Sequence, residues 1–398
     1  MIDPWRGTLA VNPGDEFEWL NRVAIVGVGD TPVGRVPGYS SLAFHQMAIK
    51  NAVADAGLSK DDIDAVFTQS PYTDATFMHS VWVAKSMGIN LRYSADMNIG
   101  GATPVGMLIH AAMAIASGLC STAVISFGEN QLSARKQLRH GRYNHQFEDF
   151  EVPYGRAGAP IGYAMAARRH MHEYGTTSEQ FGAIAVAMRK HASLNPNSQM
   201  HEPFTLADHQ ESDFIVEPFR LLDCCLVSDG GGAVVLTTSA RAKDLKNVPI
   251  KILGAASNHP HKGIQGSESL TLTGARFSGP QAFAQAGLTP KDIDLAEIYD
   301  CFTYTVLVQL EDLGFCAKGE GGPYVEGGRI ELGGELPVNT HGGLLSQAHI
   351  DGMLHIVEAV RQLRGECDVR QVQNAEIALV TGNGGELSTH WTAILGRD

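Results

Sequence analysis

No apolar run in this 398-residue chain approaches the roughly 20 residues a membrane helix needs, so a membrane-spanning protein is not expected. The segment Met1 to Leu20 is acidic and polar without an apolar core, and does not read as a secretory signal. Basic residues are scarce: 30 Lys and Arg stand against 43 Asp and Glu, for a formal charge of −13. Binding nucleic acid or an anionic membrane through bulk charge is therefore excluded, although a local basic cluster can still hold a phosphate-bearing ligand. The six cysteines (Cys120, Cys224, Cys225, Cys301, Cys316 and Cys367) include no Cys-x-x-Cys pair. That argues against a zinc-thiolate site or a disulfide framework and for a reduced, cytoplasmic chain. The sixteen histidines form no His-Glu-x-x-His motif, and no metal site is expected.

What the chain does have is a repeat. Ala56-Gly57-Leu58-Ser59-Lys60-Asp61-Asp62-Ile63-Asp64 returns 230 positions later as Ala286-Gly287-Leu288-Thr289-Pro290-Lys291-Asp292-Ile293-Asp294. Solenoid repeats recur every roughly 20–50 residues, so this spacing indicates two similar half-chains instead. The boundaries fall at about 1–250 and 251–398. Each half opens on an apolar strand, Val23 to Gly27 or Ile250 to Gly254, and continues into a helix, about Ser41 to Ala56 or about Pro280 to Ala286. Gly57 and Gly287 end those helices, where a left-handed residue is favoured. A second strand follows at Asp64 to Phe67 or Leu295 to Ile298. Later helices cover Thr103 to Ala116 and about Ile350 to Leu363, and strands run from Thr122 to Ser126 and Glu376 to Val380. The helix from Thr103 carries no charged residue and is apolar almost all round, which marks it as buried. Alternating strands and helices predict an α/β fold of two sheets sharing a central helical layer, five layers in all.

Residues 131–221 have no counterpart in the second half. The insertion holds Arg135, Lys136, Arg139, Arg142, Arg156, Arg168 and Arg169. It reads either as a solvated cap or as a lid whose arginines, Arg135 and Arg139 among them, meet an anionic ligand such as a phosphorylated pantetheine carrier.

Three segments carry a family resemblance. Leu222-Asp223-Cys224-Cys225 through Ala233, Asp300-Cys301-Phe302, and Asn339-Thr340-His341-Gly342-Gly343 through His349 together resemble the thiolase superfamily, in its sterol-carrier-protein-type branch. The resemblance implies a duplicated thiolase fold of five α-β-α-β-α layers, a homodimer and acyl-coenzyme A substrates. Three positions depart from the thiolase pattern. Gly101 stands where a thiolase has its nucleophilic cysteine, at the start of the buried helix where the macrodipole favours a thiolate. Thr381 replaces the second thiolase cysteine. Tyr299 replaces the histidine of His-Asp-Cys-Phe, and Gln69 is its counterpart in the first half. Cys120 lies at the far end of the helix, roughly 24 Å from Gly101 at 1.5 Å per residue, and cannot substitute.

An acyl-coenzyme A site without a nucleophile suits retro-aldol cleavage of a β-hydroxyacyl thioester, which needs proton transfer and enolate stabilisation only. Tyr299 and His349 are chemically able to move the protons, provided that the tyrosine pKa, ordinarily near 10, is lowered for base work. Cys301 and Asp300 complete the candidate catalytic group. Backbone amides around Gly342-Gly343 and Gly384-Gly385 are candidates for the enolate oxygen, and Asn339, His341, Gly343, Gly384 and Gly385 for contacts with the thioester. The same departures resemble the thiolase-like steroid side-chain aldolases, which have a Tyr-Asp-Cys-Phe motif and a second tyrosine where this chain has His349. That resemblance implies steroid-derived substrates, a small OB-fold partner subunit, and no cofactor beyond the coenzyme A of the substrate. Two other readings compete: a thiolase with an unusual nucleophile, and a non-catalytic acyl-coenzyme A or lipid-binding subunit.

Overall fold

The computed structural model describes residues 19–134, 151–156 and 158–397. The candidates Arg135 and Arg139, with Lys136 and Arg142, lie outside the described residues. In chain order the first half comprises β1 (Val23–Asp30), α1 (Ser41–Asp55), β2 (Ala65–Thr68), α2 (His79–Met87), β3 (Tyr93–Asp96), α3 (Thr103–Ala116) and β4 (Thr122–Asn130). The inserted stretch adds α4 (Ala159–Tyr174), α5 (Ser178–Leu194), α6 (Leu206–Glu211) and a small hairpin, β5 (Phe214–Val216) and β6 (Phe219–Arg220). After β7 (Asp229–Thr238) the second half runs through β8 (Ile250–Asn258), α7 (Ala275–Ala286), β9 (Leu295–Glu297) and α8 (Thr303–Asp312). It ends with α9 (Gly343–Ser346), α10 (Met353–Arg364), β10 (Ile377–Gly384) and β11 (Thr389–Arg397).

The sheet order is β3-β2-β4-β7-β1-β8-β11-β10-β9. Outward from the centre, β1-β7-β4-β2 on one side mirrors β8-β11-β10-β9 on the other. The half-sheets are not separate: Ala24 and Ile25 of β1 pair antiparallel with Lys251 and Ile250 of β8. Between them lie α3 and α10. The first touches β1, β4 and β7 of its own half and β10 and β11 of the other; the second touches β9, β10 and β11 together with β1 and β7. Helix α1 covers the outer face of the first half-sheet and α7 that of the second. Both outer helices sit so close that a Cβ on Gly27 or Gly254 would lie 2.2 Å from the Ala52 or Ala282 carbonyl oxygen.

The repeated sequence does the same work twice. Ser59 and Asp62, like Thr289 and Asp292, form a capping box around a single helical turn. The last residue of each copy then joins two strands. Asp64 accepts from the amides of Ser121 and Thr122 at 2.9 and 2.8 Å, and Asp294 from those of Glu376 and Ile377 at 2.8 and 2.9 Å. Each carboxylate thereby sets the start of the neighbouring strand, β4 or β10.

The structure revises several boundaries. Helix α7 begins at Ala275, before the expected Pro280, and carries that proline inside it. Helix α10 begins at Met353 because Gly352 and Asp351 have left-handed backbones, with φ of 82° and 46°. The insertion is more than a solvated cap. Tyr163, Ala164, Phe181, Ile184 and Met188 are buried in one apolar cluster with Tyr299, Phe302 and Leu307 of the second half.

Candidate active site

Four chain segments converge where the second half-sheet meets the start of α3: the run from Ile298 to Phe302 after β9, the loop 98–102, the turn at Gly384-Gly385, and the loop 347–352 before α10. Their approach is tight, since a Cβ on Gly384 would lie 1.8 Å from the Ile99 carbonyl oxygen. At the centre is the phenol of Tyr299. A Cβ built on Gly101 would lie 2.0 to 2.2 Å from its Cζ, hydroxyl oxygen and Cε2. Real Cβ contacts are never that short, so the phenol occupies the space that any side chain at position 101 requires. Thr381 joins the same unit. Its Oγ1 accepts from the Tyr299 amide at 3.0 Å and donates to Gln309 Oε1 at 2.8 Å, while Gln309 Nε2 donates to the Tyr299 carbonyl at 2.9 Å. The three departures from the thiolase pattern are thus one construction: the lost cysteine makes room for the tyrosine, and the threonine anchors its backbone.

Burial, followed by the charge of Asp351, holds the Tyr299 pKa well above its ordinary value. The lowering that base work would require is not what this environment provides. Tyr299 is a phenol at physiological pH and suits proton donation, not proton abstraction. Cys301 is likewise buried, and burial pushes its thiol up to about 12 despite the neighbouring Tyr163 and Thr305 side chains, which act to lower it. Burial thus disfavours its thiolate, the form a nucleophile or base requires. Cys120, beyond the C-terminal end of α3, is also pushed up to about 12 by burial. Asp300 accepts from the amides of Leu344 and Leu345 at 2.9 and 3.3 Å and pairs with His355 Nε2 at 3.1 Å. It braces α9 through these bonds. Gly343 serves that contact, since a Cβ there would lie 2.0 Å from Asp300 Oδ2.

His349 is partly open, with 20% of its side chain exposed, and its Nε2 lies 3.6 Å from Asp351 Oδ1. Its amide donates to Ser228 Oγ at 3.0 Å. Asp351 in turn accepts from Gln69 Nε2 at 2.5 Å and from the Tyr72 hydroxyl at 3.0 Å. Gln69, the counterpart of Tyr299 by internal symmetry, therefore reaches the same loop from the other half. Gln69, Tyr72 and Asp351 were absent from the expected site. Only the repeat hinted at Gln69, and nothing local in the sequence marks the other two.

The expected thioester contacts are mostly spent on structure. Asn339 donates to the Ile298 carbonyl at 2.7 Å and accepts from its amide at 2.6 Å, completing the sheet edge. His341 is buried beside Glu297. The Gly342 amide donates to the Asn339 carbonyl, so it does not face a ligand. The Gly385 carbonyl accepts from the Tyr163 hydroxyl at 2.6 Å, and Asn383 Nδ2 donates to that hydroxyl at 2.9 Å. Tyr163 is the insertion's contribution to the site, and no motif announced it. Three arginines of the insertion face carboxylates: Arg156 bridges Glu151 and Glu386, Arg168 faces Glu217 at 3.4 Å, and Arg169 binds Glu173 at 2.6 Å.

Residues 256–397 match the family model described as thiolase C-terminal domain-like. The chain is 40% identical over 386 residues to a 17-hydroxy-3-oxo-4-pregnene-20-carboxyl-CoA lyase of Mycobacterium tuberculosis, covering 92% of this chain and 97% of that one. It is 41% identical over 377 residues to a steroid side-chain-cleaving aldolase of Thermomonospora curvata, covering 91% and 95%. A solved structure titled Ltp2-ChsH2(DUF35) aldolase superposes with a TM-score of 0.88 at 40% identity, covering 95% of this chain and 98% of that one. The chain belongs to the thiolase superfamily. Within it, the similarity is to aldolases and lyases of thiolase fold, in keeping with a site whose nucleophile position is filled by a tyrosine.

Proposed function

We propose that this protein is a carbon–carbon lyase that cleaves a β-hydroxyacyl-coenzyme A derived from a steroid side chain by a retro-aldol reaction. The products are a ketone or aldehyde and a shorter acyl-coenzyme A. The observation that carries the reading is the Tyr299 phenol in the space of a side chain at Gly101. In this scheme His349 removes the β-hydroxyl proton and the Cα–Cβ bond breaks. Its electron pair passes into the thioester enolate, and Tyr299 donates the proton that returns to Cα. Proton exchange with solvent resets both groups. Asp351 steadies the imidazolium that forms on His349. The coenzyme A belongs to the substrate, and the scheme calls on no further cofactor.

The protein works, in this reading, as a homodimer with a small OB-fold partner subunit. Support for the partner comes from the related Ltp2-ChsH2(DUF35) aldolase, which is named as two components. The test is product analysis with hydroxyacyl-coenzyme A thioesters of graded bulk, with and without the copurified partner. Ketone or aldehyde release in step with a shortened acyl-coenzyme A supports the reading, and release of free coenzyme A counts against it.

A further inference from the structure

A second polar cluster lies beside the Tyr299 ring and takes no part in the lyase scheme. His355 of α10 stacks on that ring, centroids 6.3 Å apart, and meets His341 edge-on at 4.7 Å. His341 Nδ1 is 2.8 Å from Glu297 Oε2. One donor atom from each of Glu297, His341 and His355 lies within 4.8 Å of the others, and none of the three residues is more than 1% exposed.

The protein holds the outer atoms of this cluster. Glu297 Oε1 accepts from the amide and hydroxyl of Thr340 at 3.2 and 3.1 Å, and His355 Nε2 is paired with Asp300 Oδ1 at 3.1 Å. The inner atoms are different. Glu297 Oε2, His355 Nδ1 and both nitrogens of His341 have no aligned hydrogen-bond partner in the protein. Leaving a buried polar atom unsatisfied costs about 1–3 kcal/mol, and one such atom from each of the three residues faces a common point, which calls for a ligand. Charge points the same way. Glu358 next door is matched by Arg370 through two contacts of 3.0 Å, whereas Glu297 and Asp300 meet no lysine or arginine among the described residues. The 2.8 Å between Glu297 Oε2 and His341 Nδ1 is near the roughly 3.3 Å edge of a tetrahedron with ~2.0 Å bonds.

We propose that Glu297, His341 and His355 bind one divalent first-row transition ion, zinc by their donor chemistry. Two imidazoles and a carboxylate suit that class, and a carboxylate bracing the far nitrogen of a ligating histidine, as Asp300 braces His355, is its usual accompaniment. The ion touches no substrate. It fixes the run from Glu297 to Asp300 and so the placement of the Tyr299 phenol. The ligands are 44 and 14 residues apart in sequence, which is why no spacing motif disclosed them.

The test is elemental analysis of the full chain, purified without a metal-affinity column from cells grown in Zn²⁺- or Co²⁺-supplemented medium. The expected result is about one ion per chain, with ligand-field bands in the Co²⁺ protein, falling below about a tenth of an ion in Glu297→Gln and His341→Gln. If those variants do not fold, the metal content and Co²⁺ spectrum of the wild type decide. Less than about a tenth of an ion in the wild type from both media, or undiminished metal in the folded variants, overturns the proposal. The measurement is independent of whether the protein is a lyase.

Discussion

At the residue scale the site turns on one exclusion: Gly101 cannot gain a side chain while Tyr299 keeps its place. Gly101→Ala puts a methyl group inside the phenol ring and is expected to lower kcat at least about 100-fold and reduce stability by several kcal/mol. In a Tyr299→Ala background the three nearest of those contacts are gone, and the same change is expected to have little further effect on stability. Denaturant unfolding of the four proteins measures that coupling, and simple additivity would contradict it. Tyr299→Phe removes only the hydroxyl, and is expected to cost about 100-fold or more in kcat while melting stays near wild type. Cys301→Ala is expected to retain activity within a few-fold, because a thiol pushed to about 12 does no nucleophilic work. These assays separate the phenol from its neighbour. In the sequence the Tyr-Asp-Cys-Phe run offered Tyr299, Asp300 and Cys301 together as candidates, and burial and hydrogen bonding separate their surroundings.

At the element scale, the chain's short polar motifs serve largely as joints. Asn339 has a left-handed backbone, φ 50°, and spends its side chain on both polar groups of Ile298. Asn339→Ala leaves buried backbone groups unpaired and is expected to destabilise the fold by about 2–4 kcal/mol, read from urea unfolding, with KM little changed in the folded fraction. A large rise in KM with unaltered stability would instead make Asn339 a substrate contact. The strands and buried helix were legible because period and composition announce them: α3 runs from Thr103 to Ala116 as expected. The insertion was not. Its α4 and α5 are stabilised by apolar contacts with α8 and its surroundings, and Tyr163 reaches the site through folding rather than through any local motif.

At the scale of the whole molecule, the duplication places two half-sheets around α3 and α10 and brings equivalent positions, Gln69 and Tyr299, to the same loop 347–352. The repeat made the halves readable. It could not show that β1 and β8 pair directly, nor that residues from both halves meet at Asp351. The same buried architecture predicts acid sensitivity. Burial lowers His390 to about 3 and His191 to about 4. The unfolded chain takes up these protons near pH 6.5 and the folded chain only near pH 4 for His191 and near pH 3 for His390, so stability falls as pH drops through that window. A melting temperature unchanged between pH 7 and pH 4 would contradict this.

The central claim, cleavage without a covalent acyl-enzyme, is tested most directly by intact-protein mass spectrometry during turnover of a steroid-derived β-hydroxyacyl-coenzyme A, with products quantified in parallel. The account predicts a protein of unchanged mass and equal amounts of ketone or aldehyde and shortened acyl-coenzyme A. An acylated protein accompanied by free coenzyme A would contradict it.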